Sequence, residues 1–153
     1  MDRSEIVRIH TTSPSQTEAF ARELGANIDS ALCISLVGAL GVGKTVFARG
    51  LCRGLGIAET IVSPTFILYE EFLGRLPVVH LDLYRLKHER EIEELGVFDK
   101  LREDCVIITE WGDRSETILA ASDAVVSLRL HARCERDVEL NCTRQVRELL
   151  HNI

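Results

Sequence analysis

Gly38-Ala39-Leu40-Gly41-Val42-Gly43-Lys44-Thr45 decides the fold of this 153-residue chain. Its spacing, G-x-x-x-x-G-K-[ST], is that of a phosphate-binding loop, or P-loop. Glycines permit the positive φ angles and the close backbone approach that such a loop needs. Its N–H groups then form a concave nest for anionic oxygens. The helix that follows adds unpaired N–H groups and the positive end of its dipole. Lys44 suits the β- and γ-phosphates of a nucleotide, and the Thr45 hydroxyl suits the Mg²⁺ that bridges them. Gly38, Leu40, Gly41, Val42, Gly43, Lys44 and Thr45 are therefore the candidate nucleotide-binding residues of the loop.

The flanks fit the strand–loop–helix context that the motif requires. Residues 31–37, Ala-Leu-Cys-Ile-Ser-Leu-Val, form a short apolar run suited to a buried strand. From Lys44 to Leu55 there is no proline, and Val46, Phe47, Leu51 and Leu55 recur at helical spacing. Upstream, residues 5–11 read as an edge strand. Ser13-Pro14-Ser15-Gln16 reads as a helix start, with Ser13 as cap, Pro14 in the first turn and Gln16 completing a capping box. That helix is predicted to end at Leu24, with Gly25 as its stop.

Downstream, residues 66–72 and 77–83 read as a hairpin turned at Gly74. A charged helix follows over 86–95, then a shorter one near 98–101. Residues 105–109, Cys-Val-Ile-Ile-Thr, form a second buried strand ending at Glu110-Trp111. Residues 117–121 read as one helical turn, 124–131 and 137–142 as an antiparallel pair, and 143–151 as a terminal helix. The predicted architecture is a single-domain α/β fold of the P-loop NTPase kind. Its mixed sheet has a parallel centre and antiparallel flanking strands, with helices on both faces.

Composition narrows the function. The length suits one domain with room for a core. Eighteen basic against twenty-four acidic residues give a net charge of −6, with no stripe of Lys and Arg. Phosphate-backbone affinity depends on such clustering, so direct nucleic-acid binding is disfavoured, while binding through a partner is compatible. The five cysteines are odd in number and lack C-x-x-C spacing, which fits a reduced, cytoplasmic setting. No apolar run approaches a membrane span, and residues 1–5 lack a signal peptide's apolar core. The five histidines are scattered without zinc-ligand spacing and read as structural or surface residues.

A P-loop enzyme also needs a carboxylate at the end of a neighbouring buried strand. Asp82 ends the run 78–82, Val-Val-His-Leu-Asp, and Glu110 ends the run 105–110. Glu110 follows the more apolar run and is the preferred magnesium-linked carboxylate. Asp82 is the preferred residue for orienting or deprotonating water, and the two roles are exchangeable on sequence alone. Ser63-Pro64-Thr65 lies where the switch loops of P-loop proteins lie, so Ser63 and Thr65 are candidates for sensing the γ-phosphate; a plain proline turn is the alternative reading. Trp111, the single tryptophan, is either a core residue or a neighbour of the nucleotide or of a partner.

Taken in order, the loop at 38–45, Ser63-Pro64-Thr65-Phe66, His80-Leu81-Asp82-Leu83-Tyr84-Arg85 and Glu110-Trp111 resemble the motifs of the TsaE (YjeE) family. The resemblance covers about residues 10–112, and the His80–Arg85 stretch is its most specific element. It implies a small ATPase, weak alone and stronger with partners. Its implied task is turnover of the TsaB–TsaD complex, which makes threonylcarbamoyladenosine beside the anticodon of tRNA. It also implies ATP and Mg²⁺ as cofactors, tRNA contact only through the complex, and no membrane. By the same resemblance Lys44 grips phosphate, Thr45 and Glu110 bind Mg²⁺, and Asp82 supports hydrolysis. Ser63 and Thr65 would belong to the switch-like loop, and Thr12–Ser15 would lie near adenine. Two positions depart from the family pattern. Ala39 stands where an acidic residue is usual, and Val42 where alanine is typical; neither change removes a phosphate-binding group.

Other P-loop classes fit less well. A small-molecule kinase calls for an Arg-rich lid and an acceptor pocket, and neither is evident. A GTPase calls for N-K-x-D and D-x-x-G, which are absent from the sequence. A nucleotide-sensing module that does not hydrolyse is opposed by the carboxylate pair Asp82 and Glu110.

Overall fold

The computed structural model describes residues 2–61, 69–151 and 153. In chain order its elements are β1 (Glu5–Thr11), α1 (Pro14–Asn27), β2 (Leu32–Val37), α2 (Lys44–Gly54), β3 (Tyr69–Leu73), β4 (Pro77–Asp82), α3 (Glu89–Glu94), α4 (Val97–Lys100), β5 (Val106–Glu110), a 3₁₀ turn (Gly112–Arg114), α5 (Glu116–Ala121), β6 (Ala124–Ala132), β7 (Glu135–Cys142) and α6 (Arg144–Leu149). The strands form one sheet in the order β1-β7-β6-β2-β5-β4-β3. β2 pairs in parallel with β5 and β6, and β4 in parallel with β5. The pairs β1·β7, β6·β7 and β3·β4 are antiparallel. The predicted mixed sheet, parallel at its centre and antiparallel at its flanks, is thus the observed one.

Alternation along the strands builds a core on each face of the sheet. Ile34, Leu36, Ile108, Val126 and Leu140 pack against α1, α2 and α6 on one face. Cys33, Val79, Leu81 and Ile107 meet Ile92 of α3, Val97 of α4 and Ile118 of α5 on the other. β2 and β5 contribute to both cores, which is why they read as unbroken apolar runs. Asp123 ties the start of β2 to the start of β6. Its N–H donates to the Cys33 carbonyl at 2.7 Å, and its Oδ2 accepts from the Cys33 N–H at 2.8 Å. Cys33, Cys52, Cys105 and Cys142 are buried free thiols, and Cys134 is exposed. Burial pushes the Cys33 and Cys52 thiols up to about 12. Among the described residues, no helix is long and apolar enough to cross a membrane.

Several local readings need correction. α1 does not stop at Gly25 but continues to Asn27. Gly25 serves helix packing instead: a Cβ there would lie 2.3 Å from the Leu51 carbonyl oxygen of α2, and one at Gly54 would lie 2.1 Å from that of Arg22. The two helices meet backbone to backbone, a contact that reading one helix at a time does not reveal. Ser13 caps α1 as expected, accepting from Gln16 N–H at 3.1 Å. The Gln16 side chain, however, reaches the N–H and hydroxyl of Thr12, both at 2.8 Å, and not Ser13 itself. The charged helix begins at Glu89, not Leu86, because the chain first makes a turn in which Asp82 Oδ1 accepts from Tyr84 N–H at 2.9 Å. Residues 66–68 of the predicted 66–72 strand lie outside the described residues.

Gly25→Ala is expected to destabilise the protein by about 1–3 kcal/mol, the usual cost of overpacking, although alanine is the better helix former. Urea unfolding followed by circular dichroism measures this. An unchanged or raised midpoint would show that α1 and α2 have room to separate.

Candidate functional site

The loop between β2 and α2 takes its shape from its glycines. Gly43 has φ 116° and Gly38 φ 149°, angles that residues with a Cβ rarely adopt. At Gly38 a Cβ would also meet the Leu128 carbonyl oxygen at 2.6 Å. Gly43 precedes α2 directly and offers no side-chain cap, so the first N–H groups of α2 face the loop without one. Arg136 of β7 braces the loop from the side, its Nε donating to the Val42 carbonyl at 2.6 Å. A cleft of about 520 Å³ opens beside the loop, lined by Leu40, Val42, Arg129, Leu130 and Arg136 among others.

Lys44 is buried, and its Nζ donates to the carbonyls of Gly38 at 2.6 Å and Ala39 at 2.8 Å. The same ammonium lies 3.9 Å from the ring centre of Trp111, a cation–π contact. Burial lowers the Lys44 pKa, and the carboxylates of Glu110, Asp113 and Asp82 oppose that effect. Trp111 is placed there by its backbone. At φ 60° it is the one non-glycine residue with positive φ among the described residues, and it turns the chain sharply at the end of β5. Tyr84 packs against it at a tilt of 40°, with ring centres 4.9 Å apart. The Arg114 guanidinium lies 5.3 Å from the Trp111 ring and 5.6 Å from that of Tyr84. Trp111 thus lies beside the phosphate loop and also packs, half-buried, against the second core.

The two carboxylates predicted from strand ends come together. Asp82 and Glu110 are register partners on β4 and β5, and Leu36 of β2 pairs with Glu110 on its other side. Both acids are buried. The Thr45 hydroxyl donates to Glu110 Oε1 at 2.7 Å, and His80 Nε2 lies 2.8 Å from Glu110 Oε2. His80 is fully buried, and its Nδ1 has no hydrogen-bond partner.

Lys44, Thr45, Asp82, Glu110 and Trp111 therefore share one site with the loop residues Gly38, Leu40, Gly41, Val42 and Gly43. Ser63 and Thr65 lie outside the described residues. The reading of the histidines as structural or surface residues holds for the buried His80 but did not name it as the partner of Glu110. The available signal was its place two residues before Asp82, which puts both on one face of a strand. Arg136 had no such signal, since only the pairing of β7 with β1 and β6 brings it to the loop.

A sequence model of the family described as "Threonylcarbamoyl adenosine biosynthesis protein TsaE" matches residues 11–140. The chain belongs to the TsaE family. A relative from Treponema pallidum (strain Nichols), named tRNA threonylcarbamoyladenosine biosynthesis protein TsaE, is 34% identical over 132 residues, covering 86% of this chain and 98% of that protein. A relative of the same name from Bacillus subtilis (strain 168) is 32% identical over 141 residues, covering 92% and 88%. The crystal structure of Bacillus subtilis YdiB superposes with a TM-score of 0.78 at 24% identity, covering 97% of this chain and 93% of that one. That likeness is one of fold. The family match spans every described motif of the site, from the end of β1 to the body of β7.

The brace on the loop carries its own prediction. Arg136→Ala removes a charge-assisted bond to the Val42 carbonyl, of the order of 1.5–3 kcal/mol. Nucleotide affinity, followed by Trp111 fluorescence, is expected to weaken roughly tenfold, which corresponds to about 1.4 kcal/mol. Unchanged affinity would mean that the glycines alone hold the loop.

Proposed function

We propose that this chain binds Mg-ATP in the 38–45 loop and hydrolyses it, in the service of threonylcarbamoyladenosine modification of tRNA with TsaB and TsaD. One observation carries this reading: the line Thr45–Glu110–His80 beside Lys44. Hard oxygen donors of this kind are what Mg²⁺ takes. Three carboxylates, Glu110, Asp113 and Asp82, act on the ammonium of Lys44, so the site offers carboxylate oxygens that suit a divalent cation.

Each residue then has a role. The loop N–H groups and the N-terminus of α2 would take the phosphate oxygens. Lys44 would exchange its two carbonyl acceptors for phosphate and bring positive charge to the transferring group. Thr45 and Glu110 would hold Mg²⁺, whose chemistry is to neutralise charge on the phosphate oxygens. His80 fixes the orientation of Glu110 from behind, much as outer partners orient metal ligands elsewhere. Asp82 is the residue to orient water, held in place by its bond from Tyr84 N–H. The net charge of −6 supports reaching tRNA through the partners rather than directly, and the four buried free thiols are compatible with a cytoplasmic setting.

The test follows phosphate release from Mg-ATP by the chain alone and with TsaB and TsaD. Weak release that the partners raise supports the proposal. If Trp111 fluorescence does not respond to nucleotide and the partners bring no stimulation, the proposal fails. A fluorescence response without release in either condition would leave a nucleotide sensor in place of an ATPase.

A further inference from the structure

We propose that His10, His131 and Asp137 form a binding site for a divalent transition-metal ion of the zinc class. His131 and Asp137 face each other across the β6–β7 hairpin, and the pairing of β7 with β1 at the edge of the sheet brings the sequence-distant His10 to them. β1, β7 and β6 lie side by side there, with His10 opposite Asp137 and Arg129 opposite Asp137 in register. Ile9, Val138 and Leu128 of the same strands pack into the core. Their alternates, His10, Asp137 and Arg129, therefore face outward, and His131, at the bulge between Leu130 and Ala132, reaches Asp137 on that same side. All three proposed ligands are exposed.

The geometry is that of a donor set arranged around one point. His10 Nδ1 lies 3.0 Å from Asp137 Oδ1, and His131 Nδ1 lies 3.0 Å from Asp137 Oδ2. The ligand atoms all fall within 4.8 Å of one another. Zinc binds imidazole nitrogen and carboxylate oxygen at about 2.0–2.2 Å, so neighbouring tetrahedral ligands stand about 3.3 Å apart. Small side-chain rotations bring these atoms to that spacing. The ion would take the place of the hydrogen atoms now shared between the two rings and the carboxylate.

Glu135 supplies the second observation. Its Oε1 lies 3.0 Å from His10 Nε2, the ring nitrogen turned away from Asp137. A ligating histidine characteristically gives its other N–H to a carboxylate, which fixes the ring and raises its basicity. Ligands anchored on three hydrogen-bonded strands are also held more firmly than ligands on loops. Two imidazoles and one carboxylate favour zinc, cobalt or nickel over magnesium. The site is thereby separate in chemistry from Thr45 and Glu110, and its fourth tetrahedral position is left to water.

Calorimetric titration of the full chain with ZnCl₂ tests this, in excess Mg²⁺ and in a Cys134→Ser background that removes the exposed thiol. One Zn²⁺ per chain is expected. His10→Ala and His131→Ala are each expected to weaken binding by at least about tenfold, with thermal melts in the absence of zinc showing that both variants fold. Co²⁺ is expected to give visible ligand-field absorption that both variants lose, which a merely structural pair of histidines would not produce. Absence of zinc binding by the Cys134→Ser chain, or an affinity that neither histidine variant lowers, overturns the proposal.

Discussion

Lys44→Ala is expected to lower ATP hydrolysis by about 10²–10³-fold, the range for losing one preorganised donor to developing charge. The nucleotide response of Trp111 fluorescence is expected to be lost with it. The ammonium is the positive charge set deepest in the loop, and it is already dehydrated: burial lowers its pKa, and Glu110, Asp113 and Asp82 work against that. A dehydrated donor needs little reorganisation when phosphate replaces the Gly38 and Ala39 carbonyls as its acceptor. Lys44→Arg is not expected to rescue activity, because a planar fork cannot reproduce a compact ammonium between two carbonyls 2.6 and 2.8 Å away. The fold should survive either change, since Arg136 still braces Val42. Phosphate release and a thermal melt together decide the matter. Near-normal hydrolysis by Lys44→Ala would remove the loop from the chemistry.

Glu110→Gln is expected to reduce hydrolysis by about 10²-fold or more, from the loss of several kcal/mol of metal-borne charge stabilisation. The Mg²⁺ concentration needed for half-maximal rate is expected to rise. The reason lies in the two faces of the carboxylate. Oε1 accepts from Thr45, and Oε2 faces His80 Nε2. Glutamine offers one oxygen and one NH₂, so it satisfies only one side. With nitrogen toward Thr45, the hydroxyl loses its acceptor. With nitrogen toward His80, Nε2 must become an acceptor and the ring proton must move to Nδ1, which is buried without a partner. One arrangement costs the part-buried Thr45 hydroxyl its acceptor and the other leaves a buried donor on His80 unsatisfied, so stability is expected to fall by about 1–3 kcal/mol. Denaturant unfolding reads the second effect, and a Mg²⁺ titration of the rate reads the first. A variant with the original Mg²⁺ dependence would assign the metal to another residue.

Much of this site is legible in the sequence because its residues sit at the ends of local patterns. The glycine spacing announces the loop, and two apolar runs announce strands whose last residues are acids. Topology then does the rest: a parallel pairing of β4 with β5 sets Asp82 and Glu110 side by side. The roles of His80 and Arg136 escaped because the partner of each lies far away along the chain. His80 matters through a carboxylate thirty residues away, and Arg136 through a hairpin that returns to the loop from the far end of the chain. Gly25 misled for a related reason. A glycine near a helix end ordinarily stops the helix, but here the approach of α2 requires it. Such non-local contacts are invisible to any reading that moves along one segment at a time.

The position of β2 in the sheet also bears on how the chain is made. β2 lies between β5 and β6, so the strand that carries the phosphate loop has no partner until residues well beyond its own have been synthesised. An emerging chain that ends before Val106 holds the loop and α2 but no ladder to fix them, and the Arg136 brace arrives later still. Pairings of such long sequence separation are the slow ones in folding. On the proposed function, nucleotide capture therefore belongs to the finished chain, and ATP would stabilise the product of folding and not template its early steps.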